Sequence, residues 1–559
     1  MHRAIERLRE EPFDVLVVGG GVQGVWIALR AAQSGYRVAL IEKHDFGAAT
    51  SANSLNILHG GLRYLQHLDF ARMRSSIRAR REFARRFPHL VRPLPCVIPL
   101  QMAGVRSPWF LGPALLANDL ISFDRNSGVE STARLPAGRL VSAARCVDGI
   151  APLATAEAAA GAVWWDLLST DSARLVIETT VAAARAGAAV ANRVQALEYL
   201  VHGQAVAGVA ARDCVSGVEF AIRASVVVNA TGPWAGQLSN ASGLESGFLP
   251  PGWTGGLNIV LRRSLGIESA VALSTASKEA DRSAVVRRTT RELFFVPWRG
   301  VTMVGTDYLP PGDLREGGDG PPPSAVEAFV AEISRVAPRS RLSMDDVAMT
   351  HWGLLPTEAV GSLLPRKAPI LAAGRRDAGA DGLVIVIGEK LTSAPALSRK
   401  VLQLAARQLK HEAVGSRAEA GRSDAPTDGD VSAREIGSLA QAAPRLSSRY
   451  GSRWPQVARY ADGRAALLQR IHPDTDVLGV EVIHGIRGEM ALSLDDLVLR
   501  RLGIGSAGHP GAAVLRGCAA LAAAEWGWSE AQTERAIREL DHWYCARTQA
   551  RPKSMEPGS

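Results

Sequence analysis

Phe13-Asp14-Val15-Leu16-Val17-Val18-Gly19-Gly20-Gly21-Val22-Gln23-Gly24 is the stretch that decides the fold. An apolar run passes without a break into a glycine turn, and the turn opens an apolar helix expected over residues 25–32. In that order a GxGxxG pattern gains physical content. The turn presents backbone N–H groups and a helix N-terminus, which together suit a pyrophosphate. Gly19 permits the tight turn, Gly21 lets the phosphate come close, and Gly24 lets helix and strand pack. A second strand, Arg37-Val38-Ala39-Leu40-Ile41, ends at Glu42, where a carboxylate can accept hydrogen bonds from the ribose hydroxyls of an adenosine. An acid there disfavours a 2′-phosphate, which leaves FAD or NAD and sets NADP aside.

Composition bounds the rest. With 559 residues, 47% of them hydrophobic, the chain can bury a large core and divide into two or three domains. Five cysteines (Cys96, Cys146, Cys214, Cys518, Cys545) form no CxxC pair and no His/Cys metal spacing, which argues for a reducing compartment and against zinc or iron–sulfur ligation, and no metal ligands are expected. Residues 1–11 are charged and lack an apolar core, so they form no secretory signal, and a cytoplasmic protein is expected. No run of about 18 uncharged apolar residues exists to span a bilayer.

Charge and pattern mark further segments. The net charge is +9, and the densest arginine run lies between Arg72 and Arg86, in a helical stretch expected over 70–86, where Arg74, Arg78, Arg81 and Arg85 share one face at helical spacing. That face reads as a solvated helix before it reads as an anionic-lipid contact. Residues 108–123, PWFLGPALLANDLISF, could lie on a membrane surface or cap an active site from inside. A strand-rich region is expected over 188–228, an exposed loop over 310–323, a linker at 415–430 where large apolar residues are nearly absent, and helices over 431–549.

One glycine fingerprint does not separate NAD from FAD. Two further nucleotide-type elements do: a buried strand ending in Ala230-Thr231-Gly232, and Leu383-Val384-Ile385-Val386-Ile387-Gly388-Glu389-Lys390-Leu391-Thr392, again strand, turn and helix start. N–H groups of the last turn suit a flavin pyrimidine carbonyl, where reduction accumulates negative charge. Three such elements in this order point to a flavin.

The strings Thr50-Ser51, His59-Gly60-Gly61-Leu62-Arg63-Tyr64-Leu65, Val228-Asn229-Ala230-Thr231-Gly232-Pro233-Trp234, Phe295-Val296-Pro297-Trp298, Gly305-Thr306-Asp307-Tyr308 and Lys390-Leu391-Thr392 resemble the FAD-dependent glycerol-3-phosphate dehydrogenase family. The similarity covers residues 12 to about 410, and Arg449-Tyr450-Gly451 resembles that family's helical domain. The resemblance implies an α/β fold with a divided, Rossmann-like FAD-binding domain (12–95, 155–235, 345–410), an antiparallel-sheet substrate or cap domain (96–154, 236–344) and a C-terminal all-helical domain (431–549). It implies hydride transfer from a secondary alcohol to the flavin, with electrons passed to quinone or another acceptor. Partners expected are a small anionic substrate, that acceptor, the inner face of a membrane and a second copy of the chain as a homodimer, with no nucleic acid.

The cofactor set carried over is Gly19, Gly21, Gly24, Glu42, Thr50, Ser51, Gly60, Gly61, Ala230, Thr231, Gly232, Gly388, Lys390, Leu391 and Thr392. Arg63 and Tyr64 stand where the family's motif has substrate contacts, an Arg suiting a phosphate and a Tyr hydroxyl a substrate oxygen. Departures cluster at the substrate. Asn258 replaces a histidine suited to act as base, Leu355 replaces the phosphate-binding arginine of Gly-Val-Arg-Pro, Asn56 replaces a lysine, and Glu389 interrupts Gly-Gly-Lys-Leu-Thr. His59 and His351 are the substitute bases, since each can titrate near neutrality; Arg366, with Arg63 and Arg174, is the substitute anion ligand. Three readings follow: a dehydrogenase of glycerol 3-phosphate or a related polyol phosphate, a related FAD oxidoreductase of another alcohol or an amine, and a flavin-binding protein without turnover.

Overall fold

The computed structural model describes residues 1–62, 64, 68–153, 158–244, 247–276, 290–310, 320–409, 436–461 and 463–548. Arg63, the expected linker 415–430 and most of the loop expected at 310–323 lie outside the described residues.

Two sheets carry the front of the molecule. In the first, Leu383–Ile387, Glu219–Asn229, Phe13–Val18, Val38–Ile41 and Ala189–Ala191 run parallel in that order, with Ile370–Ala373 antiparallel at one edge. Leu383–Ile387, Val15–Val18, Val38–Ile41, Ala189–Ala191 and the Val226–Val228 end of Glu219–Asn229 are buried on both faces, which is why these stretches read as unbroken apolar runs. The helix following the first strand is Val22–Gln33, three residues longer at its start than the apolar pattern suggested. The three nucleotide-type elements are thus neighbours: Val15–Val18 pairs with Val226–Asn229, and Val227–Asn229 with Leu383–Ile385.

The second sheet orders Val347–Thr357, Gly252–Leu261, Val301–Leu309, Thr290–Trp298, Ala270–Ala276, Val91–Leu100, Ala160–Ser169 and Ile57–Leu58, all neighbours antiparallel except Ala270–Ala276 beside Val91–Leu100. Ala160–Ser169 and Val347–Thr357, placed by sequence in the FAD-binding segments, therefore pair in this second sheet. Their partners lie far along the chain, so no local pattern marks which sheet they join. The helices Ile436–Tyr450, Gly479–Arg487, Ala512–Trp526 and Glu530–Thr548 follow. The last three share one apolar core with this sheet, in which Val482, Leu515 and Leu540 pack with Leu94, Val260 and Trp298, whereas Ala442, Leu446 and Tyr450 of the first pack in a separate cluster.

The arginine-rich helix spans Phe70–Arg86. Arg74 and Arg81 both pair with Asp124, at 2.7 and 2.6 Å, so half of the expected face is neutralised within the protein; Arg78 and Arg85 remain exposed. Pro108–Ile121 is a helix with an apolar outer surface: Trp109 is 82% and Phe123, just beyond it, 79% exposed. No helix among the described residues is long and apolar enough to cross a membrane.

Candidate active site

A cavity of about 1670 Å³ runs from the glycine turn, past the ends of the first sheet, to the face of the second. At its nucleotide end Gly19 adopts φ +110°, and a Cβ there would lie 2.6 Å from Ala230 O. A Cβ on Gly24 would lie 1.9 Å from Gly19 O, so strand and helix meet only because that position is glycine. A Cβ on Gly21, by contrast, would meet only Ser51 Oγ, at 3.2 Å, and would project into space a phosphate can use. Ser51 Oγ accepts the Val22 N–H at 2.9 Å, and Thr50 Oγ1 donates to Leu354 O.

Glu42 closes this end. Its carboxylate accepts the Gly20 N–H at 2.6 Å and the His44 N–H at 2.8 Å, while burial pushes its pKa upward. Opposite, Thr231 is held by Asn229 Oδ1, which accepts both its N–H and its hydroxyl. Ala230, Thr231, Gly232, Gly388, Lys390, Leu391 and Thr392 all line the cavity.

At the other end Tyr64, Lys390, His59 and Asn258 face the same space. The Lys390 ammonium bonds Tyr64 Oη and lies 4.7 Å from the centre of its ring. His59 Nδ1 is 3.3 Å from Asp166 Oδ2. Burial would raise the Asp166 pKa; the bond with His59, the Arg80 guanidinium at 2.6 Å and the Gly60 N–H at 2.6 Å together hold it well below the usual carboxylate range. An ionised Asp166 accepts only from the Nδ1–H tautomer, which leaves Nε2 as the basic nitrogen of His59. Asn258 is buried, accepting the Thr306 hydroxyl at 2.7 Å and donating to Asn53 O at 3.2 Å.

Several expectations are corrected. His351 is buried outside the cavity lining, bonded through Nε2 to Ser506 O at 2.8 Å, and burial pushes its pKa down to about 4, so it is a neutral structural group. Gly60 does not line the cavity either: its N–H is committed to Asp166, and a Cβ would strike Arg80 at 2.2 Å. Arg174 is fully buried and paired with Glu489 and Glu178, far from being an anion ligand. Arg366 does line the cavity, shared with Glu358 at 2.9 Å. Asp166 was missed, although one acid inside the apolar strand Ala160–Ser169 is a signal that a buried carboxylate has a partner.

The cavity fits a flavin dinucleotide. It has a glycine turn open to a phosphate, an acid, Glu42, at the end of the second strand, and two buried oxygens, Gln23 Oε1 and Glu389 Oε2, without a hydrogen-bond partner among the described residues. An unmet buried acceptor costs about 1–3 kcal/mol, so such oxygens call for a ligand that brings N–H or O–H donors. Burial likewise pushes the Glu389 carboxyl pKa up.

These features define a flavin-dinucleotide oxidoreductase. The family model "FAD dependent oxidoreductase" matches residues 14–404, and "C-terminal domain of alpha-glycerophosphate oxidase" matches 415–533. The chain belongs to the FAD dependent oxidoreductase family. It is 27% identical to a glycerol-3-phosphate dehydrogenase of Synechocystis sp., over 97% of this chain and 98% of that one. It is 29% identical to glycerol-3-phosphate dehydrogenase 2 of Mycobacterium tuberculosis, over 98% and 90%. Its fold matches that of the Bacillus halodurans glycerol-3-phosphate dehydrogenase complexed with FAD, with TM-score 0.71, 19% identity and coverage of 99% and 98%. The protein is an FAD-dependent oxidoreductase resembling glycerol-3-phosphate dehydrogenase.

Proposed function

We propose that this oxidoreductase oxidises the secondary alcohol of a small anionic polyol, glycerol 3-phosphate or a close relative, and passes the electrons to quinone or another acceptor. The observation that carries this reading is the His59–Asp166 pair opening on the cavity beside Asn258 and Lys390. When bound, FAD supplies the hydride acceptor. His59 Nε2 takes the hydroxyl proton, and ionised Asp166 fixes the ring and stabilises the imidazolium that forms. Asn258 and Thr306 orient the carbinol by hydrogen bonding, and Lys390 with Arg366 holds the anionic group.

The apolar neighbours Leu355, Leu363 and Leu364 in the cavity wall favour a second reading, an alcohol or amine without phosphate. Anaerobic flavin reduction by a panel of phosphorylated and unphosphorylated alcohols separates the two. Bleaching by glycerol 3-phosphate but not glycerol supports the first, and the reverse supports the second.

Docking on the inner face of a membrane belongs to the same proposal. Trp109, Phe110, Leu116, Leu120 and Phe123 are exposed on and just after the helix that also lines the cavity mouth, and Met102, Leu68 and Phe70 are exposed as well. A patch of this kind is an interaction surface more often than bare solvent-facing protein.

A further inference from the structure

The segment just after Glu42 is tied to a part of the chain more than 450 residues away. Asp45 is fully buried and receives three charged hydrogen bonds from two successive arginines: Arg501 Nη1 and Nη2 at 2.6 and 2.8 Å, and Arg500 Nε at 2.6 Å. Burial alone would raise the Asp45 pKa, but the two guanidiniums hold it well below the usual carboxylate range. Both arginines sit on a π-helical turn, Asp496–Arg501, of the helical region.

The turn is braced on its far side. Arg193 donates to Asp496 Oδ1 at 2.9 Å and Ser493 Oγ at 3.0 Å, while its own N–H donates to His44 O at 2.9 Å. Asn192 bridges Asp45 Oδ1 and Met490 O, at 3.0 and 2.9 Å. Residues 42–47 in turn wrap the glycine loop, with Gly20 N–H on Glu42 and Gly47 N–H on Gly20 O at 3.0 Å. Asp495 and Arg500 reach the cavity itself, beside Glu42, Lys43 and His44.

We propose that the helical region completes the adenosine end of the FAD site: Arg500 and Arg501 are positioning residues that fix the Glu42–Gly47 segment through Asp45, and Asp495 and Arg500 form part of the adenosine-facing wall. The inference rests on the reading that Glu42 holds the adenosine. A second ionic network, which meets the first at Glu489, whose carbonyl accepts the Arg501 Nε–H at 2.9 Å, joins the same region to the front without touching the cavity: Arg174 bonds the Glu489 carboxylate at 2.6 Å, and Arg453 bonds Glu178. It supplies the control.

The test is binding to the full-length apoprotein, with FAD, ADP and FMN as probes, since ADP reports the adenosine end and FMN lacks it. R501K keeps the charge and loses the two-pronged contact; it should weaken FAD and ADP about tenfold or more and leave FMN unchanged, as expected for the loss of one charged hydrogen bond. R453K should lower the melting temperature with ADP affinity intact. Native-like ADP affinity in R501K, or an equal loss of FMN, overturns the proposal. If R501K does not fold, D495A at a half-exposed position takes its place, and unchanged ADP affinity there has the same meaning. E42Q separates the underlying reading: unchanged ADP affinity in E42Q refutes the adenosine placement, whereas a weakened E42Q beside an unaltered R501K refutes this inference alone.

Discussion

His59 Nδ1 and Asp166 Oδ2 stand 3.3 Å apart, joining a half-exposed imidazole on the cavity to a carboxylate buried beneath it. If this pair is the base, His59→Gln should slow flavin reduction by substrate roughly 10²- to 10⁴-fold. Its melting temperature should barely move, because the side chain is half in solvent. Asp166→Ala should slow reduction too and in addition destabilise by about 3–5 kcal/mol, since Arg80 is left buried without its partner. Stopped-flow bleaching and thermal melts of both variants check this; a normal rate in His59→Gln rejects the assignment.

The two glycines of the turn should fail differently. Gly21→Val should fold and purify colourless, because the side chain projects into the phosphate space. Gly24→Val should not yield folded protein, because strand and helix can no longer meet. Flavin absorbance per chain and circular dichroism distinguish the outcomes, and a yellow Gly21→Val would refute the phosphate placement.

Asn258→His with Leu355→Arg places in the cavity wall the histidine and the arginine that the family resemblance implies at these two positions. The pair should raise the rate with glycerol 3-phosphate by about 10- to 150-fold, the worth of one charged hydrogen bond. Fast reduction of the unaltered protein by glycerol 3-phosphate would show that Lys390 and Arg366 already suffice.

Replacing Leu116, Leu120 and Phe123 by Asp should abolish flotation with anionic vesicles and leave stability unchanged, since all three are exposed. Vesicle binding equal to that of the native chain would remove this helix from any docking surface.

Stability should fall on mild acidification, with His351 a named contributor. Burial lowers its pKa from 6.5 to about 4, so the unfolded chain binds the proton more readily in that interval and stability drops as pH falls through it. Between pH 7 and about pH 5 the native chain should lose about 2 kcal/mol more than His351→Gln, as read by urea denaturation at each pH.

The nucleotide half of the site was legible because it is local. Strand, glycine turn, helix and acid lie within thirty residues, so the geometry of Gly19 to Glu42 follows from consecutive residue types. The Phe70–Arg86 helix is legible for the same reason, and the solvated reading of its arginine stripe holds for Arg78 and Arg85 but not for Arg74 and Arg81, because Asp124 lies on a separate segment. His351 shows the limit from the other side: a histidine's role depends on its burial and on a carbonyl such as Ser506 O, neither visible in the residues beside it.

By itself the sequence determined the fold class, the dinucleotide turn and the position of Glu42, since these depend on backbone freedom and apolar period over short stretches. Only the tertiary structure decided that His59 meets Asp166, 107 residues away, and that Asp45 meets Arg501, 456 residues away. Such pairs form when sheet register and core packing bring distant segments to one place, and each partner read alone is an ordinary polar residue.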